Sequence, residues 1–143
     1  MAFKKFDKKL HEEFDKQGKR VVKNFLVKLG EGYEVKENKD RYGVDLVIYK
    51  NGEKIAYAEV EVRASWSGPD FPYEDLNIPY RKKKLLINDK KTEFYSINKE
   101  LTHMFRCTAR TILESKVAII SNKYAKNEPF FKVKLEDLEK IVL

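Results

Sequence analysis

Hydrophobic positions recur along this chain first with a helical period and then with a strand period. Between residues 4 and 29, Phe6, Leu10, Phe14, Val21, Val22, Phe25, Leu26 and Leu29 follow one another at spacings that predict one long amphipathic helix. Gly18 interrupts the stripe and marks either a close approach to a neighbouring element or a weak point. Leu29-Gly30-Glu31-Gly32 supplies the stop, because glycine accepts the left-handed conformation common just past a helix.

The period then changes to two. Tyr33-Glu34-Val35-Lys36 alternates as a short strand, and Val44 to Tyr49 is β-rich. It ends at Lys50-Asn51-Gly52-Glu53, where Asn-Gly is a strong signal for a two-residue hairpin turn. From Lys54 to Val62, Ile55, Tyr57, Glu59 and Glu61 face one way and Ala56, Ala58, Val60 and Val62 the other. Residues 44–62 are therefore expected to form a hairpin whose alanine and valine side packs on a helix.

Residues 64–80 hold three of the four prolines, Pro69, Pro72 and Pro79, and are expected to be irregular. Glu93 to Ile97, Val117 to Ser121 and Phe130 to Val133 read as strands, and Leu135 to Leu143 as a closing helix. Residues 100–115 satisfy both periods: Phe105, Cys107 and Ala109 alternate, and a helix fits as well. With no repeat or linker in sight, residues 1–143 read as a single mixed α/β domain.

Composition narrows the classes. Hydrophobic residues make up 42%, too many for a disordered tail. No apolar run approaches the ~18 residues that span a bilayer, and Met1 to Asp7 lacks the apolar core of a signal peptide. No membrane partner is expected, and the location expected is cytoplasmic. Cys107, the single cysteine, excludes an intrachain disulfide and a cysteine-based zinc site. His11 and His103 lack partners at metal-ligand spacing, and Gly30-Glu31-Gly32 lacks the following glycine and helix of a phosphate loop. Thirty Lys and Arg against 23 Asp and Glu give a net charge of +7, which favours an anionic partner, nucleic acid above all.

Within this basic chain the hairpin concentrates acid. Glu59 and Glu61 share one face of a strand, and the turn brings Asp45 alongside. Carboxylates so close repel one another unless a cation neutralises them, and hard oxygen ligands suit Mg²⁺ or Mn²⁺. The plain alternative is a solvated strand face alternating apolar and acidic residues.

These residues resemble the PD-(D/E)XK nucleases, which carry an Asp at the start of one hairpin strand and a Glu-x-Lys pair on the next. Tyr42-Gly43-Val44-Asp45-Leu46 matches the first element, and Glu59-Val60-Glu61 the second in a Glu-x-Glu form. The resemblance covers residues 5–63, and the helix-first layout is similar to small Holliday-junction resolvases and phage nucleases. It implies a restriction-endonuclease-like fold, a central mixed β-sheet flanked by helices, and metal-dependent hydrolysis of phosphodiesters. DNA is implied before RNA, and a homodimer follows by the same analogy. Asp45 and Glu59 would hold one or two divalent ions, which lower the pKa of an attacking water and neutralise the leaving alkoxide. Glu61 stands where many members have lysine, either as a base or as a further metal ligand. The missing lysine is sought in Arg81-Lys82-Lys83-Lys84, with Lys82 preferred, unless no lysine substitutes and the site is slow or dead.

An acid from the first helix often joins such sites. At about 100° per residue from Phe6, the apolar stripe centres near 60–90°. Glu13, at about −20°, flanks it, and Glu12, at about 240°, faces away. Glu13 is therefore preferred over Glu12. Arg63, Arg81, Lys82, Lys83, Lys84, Arg106 and Arg110 are candidate phosphate contacts, with Arg106 and Arg110 read as sharing one face. Trp66, Phe71, Tyr73 and Tyr80 either stack on unpaired bases or pin down a long loop. Two rival readings stay open: a nuclease-like protein that binds nucleic acid or a protein partner without cutting, and an interaction protein whose acids are merely solvated.

Overall fold

A computed structural model describes residues 8–39, 43–87, 91–120 and 127–143. Helix α1 spans Lys8–Val27, so residues 4–7 of the expected helix lie outside the described residues. Strands β1 (Tyr33–Glu37), β2 (Leu46–Lys50) and β3 (Glu53–Arg63) follow as an antiparallel meander. The β2–β3 turn has positive φ at both Asn51 and Gly52, as a type I′ hairpin requires. A one-residue shift in the pairing leaves Ile55 as a bulge.

The chain then forms β4 (Asp75–Pro79), a 3₁₀ turn (Tyr80–Lys82) and the short helix α2 (Lys83–Leu86). It returns as β5 (Lys91–Asn98), parallel to β3. Next come β6 (His103–Thr108), α3 (Ala109–Leu113), β7 (Lys116–Ile120), β8 (Glu128–Lys134), a 3₁₀ turn (Leu135–Asp137) and β9 (Glu139–Val142). Six strands make a mixed sheet in the order β1-β2-β3-β5-β6-β9, and three make a second sheet, β4-β8-β7. Among the described residues, no helix is long and apolar enough to cross a membrane.

The larger sheet has a hydrophobic core on each face. On one, Ala56, Ala58, Leu46, Ile48, Tyr95, Ile97 and Met104 pack with Val22 and Leu26 of α1. On the other, Phe94, Phe105 and Cys107 pack with Trp66, with Leu76, Ile78, Phe131 and Val133 of the small sheet, and with Leu86 and Ile112. The expected flanking by helices therefore holds on the α1 face alone. The second layer is chiefly a β-sheet, with α2 and α3 at its margin.

Gly18 is a point of close approach. A Cβ there would stand 2.8 Å from Val62 Cγ2 and 3.1 Å from Val60 Cγ1. Gly18→Leu is expected to wedge α1 off β3, lowering stability by about 1–3 kcal/mol. The measurement is a drop of several degrees in Tm.

Two stretches depart from the sequence expectation, and a third, which fitted both periods, is divided between them. Residues 64–80 include β4, an edge strand whose last residue is Pro79, where the missing N–H costs little. Residues 100–115 divide into a strand and a helix at Thr108, whose Oγ1 accepts the Thr111 N–H at 3.2 Å and caps α3. The expected closing helix is instead a 3₁₀ turn and β9, which pairs with β6 from His103↔Val142 to Arg106↔Glu139. Leu135 and Leu138 pack into the second core and Ile141 into the first, so an open sheet edge overrides a helical spacing.

Candidate active site

The β2–β3 pairing, continued one residue past Leu46↔Ala58, sets Asp45 opposite Glu59. There the carboxylates bond to backbone amides. Asp45 Oδ2 accepts the Val60 N–H at 2.8 Å, and Glu59 Oε1 accepts the Asp45 N–H at 3.1 Å. This reciprocal clasp holds the two acids side by side. Glu59 is 2% exposed, which removes the solvated-face alternative for that residue. Its other oxygen, Oε2, accepts from Lys82 Nζ at 3.0 Å. Pro79 ends β4 and the 3₁₀ turn follows directly, which delivers Lys82 to the site from the second layer.

The electrostatics follow from that burial. Desolvation, then the nearby Asp45 charge, pushes the Glu59 carboxyl up to about 7 despite the Lys82 ammonium. Desolvation also raises Asp45, opposed by the Val60 N–H and by the charges of Lys19 and Lys82. Two adjacent carboxyls that both resist ionisation are a donor set that a hard divalent cation would relieve. Mg²⁺ commonly takes only one or two protein carboxylates beside water and substrate phosphate, so Asp45 and Glu59 fit it.

Glu61 does not join them. It lies on the same strand face, but its half-exposed side chain is 3.4 Å from Arg63 Nη2. Among the described residues, no group of three or more acidic, His or Cys side chains is placed to hold a metal. Tyr42, the first residue of the Asp motif, lies outside the described residues.

The helix acid nearest the site is Asp15 rather than Glu13. Glu12 and Glu13 are exposed, and Glu13 Oε1 accepts from Gln17 Nε2 at 3.1 Å. Buried Gly18, Val22 and Leu26 centre the packed face near 160° on the scale used above, and Asp15 falls at about 180°. Asp15 Oδ2 binds Lys19 Nζ at 3.0 Å, and Lys19 also lies 3.6 Å from Glu37, which pairs with Leu46 beside Asp45. Burial pulls the Lys19 ammonium down, but Asp15, Asp45 and Glu37 together hold it above its ordinary value. Lys19 and Asp15 were both missed because Gly18 has no side chain to register in a hydrophobic pattern. Leu10, counted in the stripe, is 47% exposed.

The expected phosphate contacts do not form one track. Arg63 is mostly buried, its Nη2 donating to the Asn77 carbonyl at 2.7 Å and its Nε to Ser96 Oγ at 3.4 Å, which ties the two sheets together. Arg81 pairs with Glu128, and Lys83 Nζ donates to Tyr80 Oη at 3.2 Å. Lys84 is exposed. Arg106 is bound by Glu93, lies 3.7 Å from Glu139, and covers the rings of Phe25 and Tyr95. Arg110 sits on α3, paired with Glu114 at 3.0 Å, so it shares no face with Arg106 on β6.

The aromatic loop belongs mostly to the core. Trp66 is fully buried and stacks on Phe105 at 4.7 Å, Phe71 packs against both, and Tyr80 stacks on Phe131 at 5.1 Å. Of the four aromatics named, only Tyr73 is largely exposed. Burial pushes the Cys107 thiol up to about 12, as for an inert structural cysteine. His103 Nδ1 lies 2.8 Å from Thr102 Oγ1, and the His11 side chain lies outside the described residues.

The chain matches no protein-family model, no curated protein and no solved structure.

Proposed function

We propose that this protein is a divalent-metal-dependent nuclease of the PD-(D/E)XK type, acting on DNA, with a restriction-endonuclease-like core. The observation that carries this reading is the buried pair Asp45 and Glu59, clasped at the end of a hairpin with the Lys82 ammonium 3.0 Å from Glu59. Two carboxylates and a lysine are the residue types that the resemblance implies, with the lysine arriving from a different element. The helix-first order and the mixed sheet support the same reading.

Each residue has a distinct task. Asp45 and Glu59 would hold Mg²⁺ or Mn²⁺, and the bound ion would supply Lewis-acid activation of water and of the phosphoryl group. Lys82 places a positive charge where negative charge develops on the transferring phosphoryl oxygens. Asp15 and Lys19 set the charge on the α1 side of Asp45. Glu61, held by Arg63, is a positioning residue for that arginine rather than a third metal ligand.

One observation favours a second reading. Lys82 already places a cation on Glu59, so a protein that binds nucleic acid without cutting would need no metal there. Incubating plasmid, single-stranded and four-way-junction DNA with Mg²⁺, Mn²⁺ or EDTA decides between them. Metal-dependent cutting by the wild type, lost in Asp45→Ala, is the expected result. Salt-sensitive binding with no cutting of any substrate would establish the second reading instead.

A further inference from the structure

The sheet face that carries Asp45 and Glu59 continues along the hairpin, away from the catalytic pair. Tyr57 lies on that face two residues before Glu59, roughly 7 Å along the strand. Val47 pairs directly with Tyr57, and Lys36 of β1 pairs with Val47. Tyr49 follows two residues past Val47 and pairs with Glu34. Both tyrosines are half-buried, and among the described residues neither packs into either hydrophobic core.

Each ring carries a lysine. Lys36 Nζ sits 5.3 Å from the Tyr49 ring centre and Lys54 Nζ 6.0 Å from that of Tyr57, and both lysines are exposed. The result is a strip with two half-buried rings, an apolar floor at Val47, and an exposed ammonium group over each ring that a stacking base would displace toward its own phosphate. Glu34, 3.5 Å from Lys36, is the acid within the strip, and Glu53 lies at its turn end. The Glu34–Lys36 pair is solvent-exposed and weak, so a phosphate displaces it at little cost.

We infer that this strip is a track for an unpaired nucleic-acid strand, its bases stacking on Tyr57 and Tyr49 and its phosphates running past Lys54 and Lys36. The inference rests on the phosphodiester reading of Asp45 and Glu59, and it specifies the substrate as single-stranded next to the scissile bond. Stacking decides this. Bases in a duplex offer their faces only to their neighbours, so a ring lying in a sheet surface is met only by unpaired bases. An apolar peptide would gain nothing from the ammonium groups, whereas a polyanion is drawn to them in a chain of net charge +7.

The test is fluorescence anisotropy in EDTA, with a labelled 20-nucleotide oligo-dT and, separately, its duplex with oligo-dA. Tyr57→Ala and Tyr49→Ala are each expected to weaken single-strand binding by roughly 5- to 100-fold, with duplex binding unmoved. Tyr57→Phe, which keeps the ring, is expected to bind as the wild type does. Unchanged single-strand affinity in folded alanine variants, or equal losses on the duplex, would overturn the track. Should the variants fail to fold, quenching of wild-type tyrosine fluorescence by oligo-dT supports the track and its absence overturns it. Metal-dependent cleavage with tyrosine-independent binding would overturn the track and leave the nuclease reading standing. Tyrosine-dependent binding without cleavage would do the reverse.

Discussion

Between pH 4.5 and pH 7 the wild-type protein is expected to lose on the order of 3 kcal/mol of stability through the Glu59 carboxyl, whose titration is tied to that of Asp45. The sign follows from proton uptake. In that window the native Glu59 carboxyl, pushed up to about 7, retains its proton while the unfolded one, near 4.5, has lost it. The native state therefore binds more protons, and stability falls as pH rises. Asp45 is raised for the same first reason, desolvation, and adds to the slope. Urea denaturation across pH 4 to 8 measures it. Glu59→Gln keeps an oxygen to accept the Asp45 N–H and removes the ionisation, so its stability is expected to depend much less on pH. Under the nuclease proposal, that variant is also expected at pH 8 to cut DNA at least about a hundredfold more slowly, because a neutral amide would replace a carboxylate proposed to hold the metal. A second arm needs no activity. Mg²⁺ should raise the wild-type Tm at pH 8 by mass action and leave the Glu59→Gln Tm almost unmoved. A flat pH profile in the wild type would show that Lys82 and the Asp45 N–H fully offset the desolvation of Glu59, and the carboxyl pair would then have little to gain from a further cation.

Lys82→Met should have the second largest effect. The ammonium is a third exposed, but its partner oxygen belongs to a buried carboxylate, so the loss falls mainly on Glu59. Leaving that charge without its cation is expected to cost about 1–3 kcal/mol at pH 8 and less at pH 5, where Glu59 is protonated. Under the nuclease proposal, cleavage is expected to fall about 10²- to 10³-fold, the size of loss that follows removal of one charge-stabilising donor from a developing oxyanion. Lys83→Met and Lys84→Met, whose side chains are exposed on α2, provide the contrast. Stopped-time cleavage assays and urea titrations of the three variants separate the contributions. Equal effects from all three would mean that Lys82 acts only through bulk positive charge.

The hairpin was legible because its signals are local. Alternation from Lys54 to Val62 and an Asn-Gly turn depend on residues a few positions apart, and both survive in the fold with only the Ile55 bulge added. The placement of Asp45 beside Glu59 followed from that register. Lys82, chosen among three consecutive lysines, lies at Glu59, although only the 3₁₀ turn after Pro79 decides which of the three points inward. Glu61 shows the limit. Strand alternation puts it on the face of Glu59, but its side chain lies 3.4 Å from Arg63, which is anchored across to Asn77, and it is not grouped with Asp45 and Glu59 among the described residues.

What the sequence determined by itself was therefore short-range: the helix, the hairpin, its turn and the presence of paired acid on one strand. The tertiary structure decided everything that depends on what a face meets. Gly18, silent in a hydrophobic pattern, sets how closely α1 approaches β3, and so makes Asp15 and Lys19, not Glu13, the α1 charges nearest Asp45. The residues after Leu135 became a strand because β6 offered an unpaired edge, and no local preference encodes that offer. Trp66 and Phe71 became core because the second sheet folded over Phe94 and Phe105, leaving Tyr49 and Tyr57 beyond both cores. Spacing along a chain reports which side chains share a surface. Only the packing of one layer on another determines which of those surfaces stays in contact with water.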